Sequence, residues 1–149
     1  MTPDEQATVR AALVAARAGH WAGGQQCTLN SLFARWRGLV DELESEEGYT
    51  WCAPELSNDV WCRDALFRVW PLLPERVQNS WHVELGALDG RFRAATIQWP
   101  GHSGDEARWW HKRIPRLLAA EPGERLVRGW PLGWDMIMFP RPESIDVVS

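Results

Sequence analysis

Eleven tryptophans have to be accommodated in a chain of 149 residues that holds one tyrosine and four phenylalanines. Indole brings a large apolar surface and a single N–H that needs an acceptor once it leaves water, so it is seldom scattered over a surface and seldom wholly enclosed. A chain of this length suits one domain and buries enough to fold without disulfides or metals. Its tryptophans therefore point to an aromatic core together with an aromatic contact face, the kind of surface on which binding energy concentrates.

Spacing shows where the interior lies. Leu29, Leu32, Phe33, Trp36, Leu39, Val40 and Leu43 recur at intervals of three and four, one apolar stripe on a helix over about 28–46. Thr28 or Asn30 is placed to cap it, and Gly48 to end it. An earlier helix over about 3–19 has Pro3 at its start, Asp4 and Glu5 in its first turn, Gly19 after its last, and Val9, Leu13 and Ala16 inward. Residues 48–57 read as a loop, after which Ser57 or Asn58 caps a helix whose apolar side is Trp61, Ala65, Leu66, Val69, Trp70 and Leu73, limited by Pro71. Beyond Pro74 the stripe Val77, Trp81, Leu85, Leu88, Phe92 and Ala95 predicts another helix.

Residues 99–104 read as a Pro/Gly turn, and 105–120 as a last helix with Trp110, Ile114, Leu117 and Leu118 inward and Pro115 bending it. The tail over 121–149 reads as mostly irregular, with 127–139 as an apolar strap or a short strand near Met136 to Phe139. The expected fold is thus all-α: a single domain, 1–149, formed as a compact bundle of about five helices and closed by a Trp-rich strap.

Charge narrows the classes of partner. The formal net charge of −4 argues against nucleic acid, whose binders carry a basic patch or stripe. Seven acids and no base lie between Asp41 and Asp59, whereas Arg108, Lys112, Arg113 and Arg116 cluster later. Three cysteines, Cys27, Cys52 and Cys62, are an odd number in a sequence without a signal-peptide pattern, which favours reduced thiols in a cytoplasm. The longest apolar runs, such as Ala11 to Ala16, are too short to span a bilayer, so no membrane partner is expected.

The usual signs of chemistry are missing. His20, His82, His102 and His111 do not fall at the i, i+4 spacing of a zinc helix, and Cys52 with Cys62 lack the close pairing of a structural zinc site, so neither metal nor other cofactor is expected. There is no Gly-x-Ser-x-Gly elbow, and Gly23-Gly24 has no Lys-Ser or Lys-Thr behind it to make a phosphate loop. Carboxylate pairs such as Asp59 with Asp64, or Glu84 with Asp89, are what chance supplies at this charge density. The chain is expected not to be an enzyme, and no catalytic residue is assigned.

One polar constellation stands out: Asp59, Arg63 and Asp64 near one helix start, Asp89, Arg91 and Arg93 on the next helix. It reads either as capping and surface pairing along each helix, or as a network in which Arg63 or Arg91 bridges two helices through Asp59, Asp64 or Asp89.

The order Asn58-Asp59, Arg63-Asp64, Leu72-Leu73-Pro74, Leu88-Asp89 with Arg91-Phe92 and Thr96, then Trp109-Trp110 with Arg113-Ile114-Pro115, resembles small bacterial immunity proteins of polymorphic or contact-dependent toxin systems, over about residues 58–115. The resemblance implies an all-helical cytoplasmic protein that binds and inactivates a cognate toxin domain. It brings no catalytic residues with it. The residues themselves place a partner-binding face at Asp41, Glu44, Glu46, Glu47, Tyr49, Trp51 and Glu55, where acids steer a basic protein partner, which the resemblance implies is a toxin domain, and the aromatics anchor it; a solvated helix end is the plainer reading of the same run. Two alternatives remain: a small-molecule binder or enzyme with a pocket of Trp99, Trp109, Trp110, Trp130 and Trp134, and an adaptor subunit of a larger assembly.

Overall fold

The computed structural model describes residues 1–19, 26–102 and 106–149. His20, the Gly23-Gly24 pair and the expected helix start at Asp105 lie outside these. The chain divides into two compact units, each assembled from two stretches: Met1–Gly38 with Trp61–Gly90, and Leu39–Val60 with Arg91–Ser149.

The first unit is helical. Its α1 (Pro3–Ala15) opens with a reciprocal capping box, in which Thr2 Oγ1 accepts from the Glu5 N–H while the Glu5 carboxylate accepts from the Thr2 N–H. At the other end Arg17 adopts φ 53°, and Arg68 Nε donates to the freed Ala16 carbonyl at 2.9 Å. α2 (Leu29–Glu44) begins behind Thr28, whose hydroxyl accepts from the Ser31 N–H, and the α2 residues of this unit bury Leu29, Leu32, Phe33 and Trp36. α4 (Trp61–Val69) buries Cys62, Ala65, Leu66 and Val69 on one face, and Pro71 turns the chain through a 3-10 segment, Trp70–Leu72. α5 (Glu75–Ala94) follows, with Val77 and Leu88 buried and Trp81 stacked on Phe33 at 4.3 Å between centroids.

The second unit mixes helix and strand. The remainder of α2 buries Leu39, Val40 and Leu43, and α3 (Ala53–Asp59) buries Leu56. β1 (Thr96–Gln98) pairs antiparallel with β2 (Arg113–Pro115), Ile97 opposite Ile114. β3 (Leu117–Ala119) pairs parallel with β4 (Asp146–Val148), Leu118 opposite Val147. Tyr49 forms a further parallel bridge to Leu118, taking the Leu117 carbonyl with its N–H and receiving the Ala119 N–H.

The all-α expectation is therefore wrong: the fold is mixed α/β, with two small two-stranded sheets among the described residues. The helix expected over 105–120 fails at its centre. Lys112 has φ 60°, a left-handed turn, and Pro115 forces Ile114 out of the α region, so Arg113 and Ile114 extend instead. Trp110, Ile114 and Leu118 are all buried, but the spacing that suggested a helix face comes from a turn and two strands. Asn58 and Asp59 close α3 rather than opening a helix; the cap residue of α3 is Cys52, with Pro54 in the first turn, so residues 53–57 are not loop. In the tail the strand is Asp146–Val148, and Met136 to Phe139 form none.

Candidate functional site

In the first unit, Asp89 gathers three donors. Arg63 grips its carboxylate in a fork, Nε at 2.9 Å and Nη2 at 3.0 Å, and the buried Trp36 donates its indole N–H at 3.1 Å. With Arg63 on α4, Trp36 on α2 and Asp89 on α5, one carboxylate ties three helices together. Arg37 pairs with Glu84 alongside. The Arg63–Asp89 pair orients helices from a largely covered position, its side chains only 9% and 18% exposed. Asp59 belongs to the other unit, where it accepts from the Tyr49 hydroxyl at 3.0 Å, and Asp64 is half-buried on α4.

The acidic segment lies in the second unit. Leu39, Val40 and Leu43 point inward, which turns Asp41, Glu42 and Glu44 outward. Arg91 spans two of these, donating to Asp41 at 2.8 Å and to Glu44 through Nε at 3.1 Å. That hydrogen bonding holds the Glu44 carboxyl below its usual range and pushes the Arg91 guanidinium up. Asp41 and Glu44 are thus already partnered within the chain, while Glu46 and Glu47 remain exposed and Glu55 half-exposed.

At Gly48, φ is +81°, and a Cβ there would lie 2.9 Å from the Ala119 nitrogen; only glycine fits this approach to β3. Next in sequence, Tyr49 is 1% exposed. Burial first, then the Asp59 carboxylate beside it, pushes its phenol well above the ordinary tyrosine range. Tyr49 is consequently core, not the contact aromatic expected from the sequence.

Trp51 has the opposite fate. Among the ten described tryptophans Trp36, Trp110, Trp130 and Trp134 are buried, five are partly covered, and Trp51 alone is exposed, at 55%. Its backbone is nevertheless fixed. Trp134 Nε1 donates to the Trp51 carbonyl at 3.0 Å, and the Ala53 N–H donates to the Gly133 carbonyl at 2.9 Å. Gly133 sits so close that a Cβ would fall 2.8 Å from that of Cys52. The tail segment held here also exposes Leu132 at 79% and Met136 at 51%, and the Leu132 N–H is anchored on Glu124. Sequence reasoning missed Leu132 and Met136; their signal was an apolar run, Trp130 to Phe139, too rich in turn residues to bury every side chain.

The tryptophans proposed as a pocket separate. Trp130 is fully buried, its indole donating to the Phe139 carbonyl, and Trp109 packs edge-on against Phe92 with the Arg93 guanidinium 3.9 Å above its ring. Trp99 and Trp134, joined by Trp110, instead line a cleft of about 300 Å³ against α3, together with His111, Lys112, Arg113 and Met136. Trp99 is braced edge-on by Phe139. Arg113 is fixed in the wall: Nε donates to Thr96 Oγ1 at 2.7 Å, and burial, then Arg93 and Arg116, lowers its pKa. Lys112 is exposed at the rim with Nζ 5.7 Å from the Trp99 ring centre.

No group of three or more His, Cys, Asp or Glu side chains is placed to hold a metal ion among the described residues. Nor is any helix of the described chain long and apolar enough to cross a membrane. Comparison with protein-family models, with characterised proteins and with solved structures gives no match to this chain.

Proposed function

We propose that the chain is a non-catalytic protein-binding module whose contact face centres on Trp51. The observation that carries this is an indole held out to solvent beside a backbone pinned at the Trp51 carbonyl and the Ala53 N–H. Such an anchor loses little freedom on binding and offers a large apolar area, the two properties that distinguish interface hot spots. Leu132 extends the apolar centre, and Glu46, Glu47 and Glu55 supply a carboxylate rim, so the partner is basic. The resemblance to toxin-immunity proteins gives that partner a class: a cognate toxin domain, covered and neutralised in the bacterial cytoplasm.

The test is binding kinetics with the product of the neighbouring gene. Trp51→Ala is expected to raise the dissociation rate by about tenfold to a hundredfold, and Leu132→Ala by less. Charge reversal at Glu46 and Glu47 is expected mainly to slow association. Unchanged kinetics in all these variants would remove the interface from this face, and absence of any complex would remove the toxin reading.

A further inference from the structure

The cleft beside α3 has a charge unlike that of the rest of the molecule. The chain carries a net charge of −4, yet the cleft is lined by Lys112, Arg113 and His111 and by no carboxylate. Trp99, Trp110 and Trp134 supply flat apolar wall. A volume of about 300 Å³ lies at the small end of ligand sites, with room for one or two rings and not for a nucleotide triphosphate or a folded segment.

Lys112 gives the cleft its polarity. Fifteen of the sixteen basic residues are arginine, and Lys112 is the only lysine. The arginines whose bonds are seen in the cleft wall and helix network, Arg63, Arg91 and Arg113, are tied to carboxylates, a hydroxyl or carbonyls. Lys112 forms no ion pair among the described residues. Its backbone is fixed, because the Trp99 N–H donates to its carbonyl at 2.8 Å, while its ammonium reaches over the partly exposed Trp99 ring. An exposed cation thus stands over an aromatic face at the mouth of a carboxylate-free apolar cleft.

We propose that this cleft binds an arylacetate, a flat aromatic ring with a carboxylate on a one-carbon arm, its ring against Trp99 and its carboxylate on Lys112. Ring and charge are both required: stacking alone is weak and unspecific, and a lone surface ammonium holds a simple anion poorly in salt. Trp51 and Leu132 do not line the cleft, although Trp134 and Met136 of the same tail segment do.

Calorimetric titration with indole-3-acetate tests it, with indole and acetate as the ring-only and charge-only controls. The expected result is saturable 1:1 binding of indole-3-acetate and affinity at least about tenfold lower for either control. Lys112→Met should weaken indole-3-acetate by about tenfold, Lys112→Arg should retain most of the affinity, and the ligand should protect Lys112 from acetylation as read by mass spectrometry. Because Lys112 is exposed, both variants keep the fold. Absence of saturable binding, equal affinity for indole, or full affinity in Lys112→Met would each overturn the proposal.

Discussion

Asp89 and Tyr49 show how much single side chains set in this molecule. Removing Asp89 would take from the buried Arg63 guanidinium and the Trp36 indole N–H the carboxylate they share. Asp89→Ala should therefore cost about 3 kcal/mol in a denaturant melt, and Asp89→Asn, which retains one acceptor, distinctly less. A neutral Asp89→Ala would mean the network contributes nothing. For Tyr49, the folded pKa is raised, whereas the unfolded phenol ionises near pH 10. The native chain then holds a proton that the unfolded chain releases, so stability is full below about pH 10 and falls as pH rises beyond it. Tyr49→Phe should flatten that slope. As Tyr49 is the only tyrosine, tyrosinate absorbance should appear together with unfolding; if it titrates before the fold is lost, the burial argument fails.

Among the elements, α2 and α5 could be read from sequence because their stripes run for several turns, long enough for period to outweigh local accidents. Leu32 and Trp36, both 0% exposed, give a direct check: alanine at either should lower stability by about 2–5 kcal/mol. The strands were not legible. Each has three residues, too few for an alternation to register, and β3 finds its partners at Tyr49 and at β4, far away in sequence. α3 was missed because its cap residue, Cys52, makes no side-chain bond, while Ser57 and Asn58 look like better caps; Pro54 was the clue. Gly48, read as a helix stop, also permits the approach to β3. Gly48→Ala should cost about 1–3 kcal/mol through strain and contact, measured against Gly86→Ala, where a Cβ meets open space in a helix and should be neutral or stabilising.

At the scale of the whole molecule, the acid-rich run could be located from sequence, but which of its members face solvent could not. Asp41 and Glu44 are claimed by Arg91 and Tyr49 by the core, contacts made with residues distant in the chain. Raising salt should accordingly slow association with a basic partner while leaving dissociation of the parental complex nearly unchanged, as read by stopped-flow mixing; a purely salt-insensitive association rate would contradict the carboxylate rim.

The division of each unit between two separated stretches also orders events on the ribosome. The first unit cannot close before the chain has been made through α5, when Asp89 becomes available to Trp36 and Arg63. The second must wait longer, since the strand that pairs with β3 ends at Val148. Until then Trp110, Trp130 and Trp134 have emerged without their full shelter, so the nascent chain presents apolar surface to chaperones and proteases during the interval. Slow translation of this last stretch would lengthen that exposure, making yield of folded protein sensitive to the rate at which codons beyond residue 119 are read.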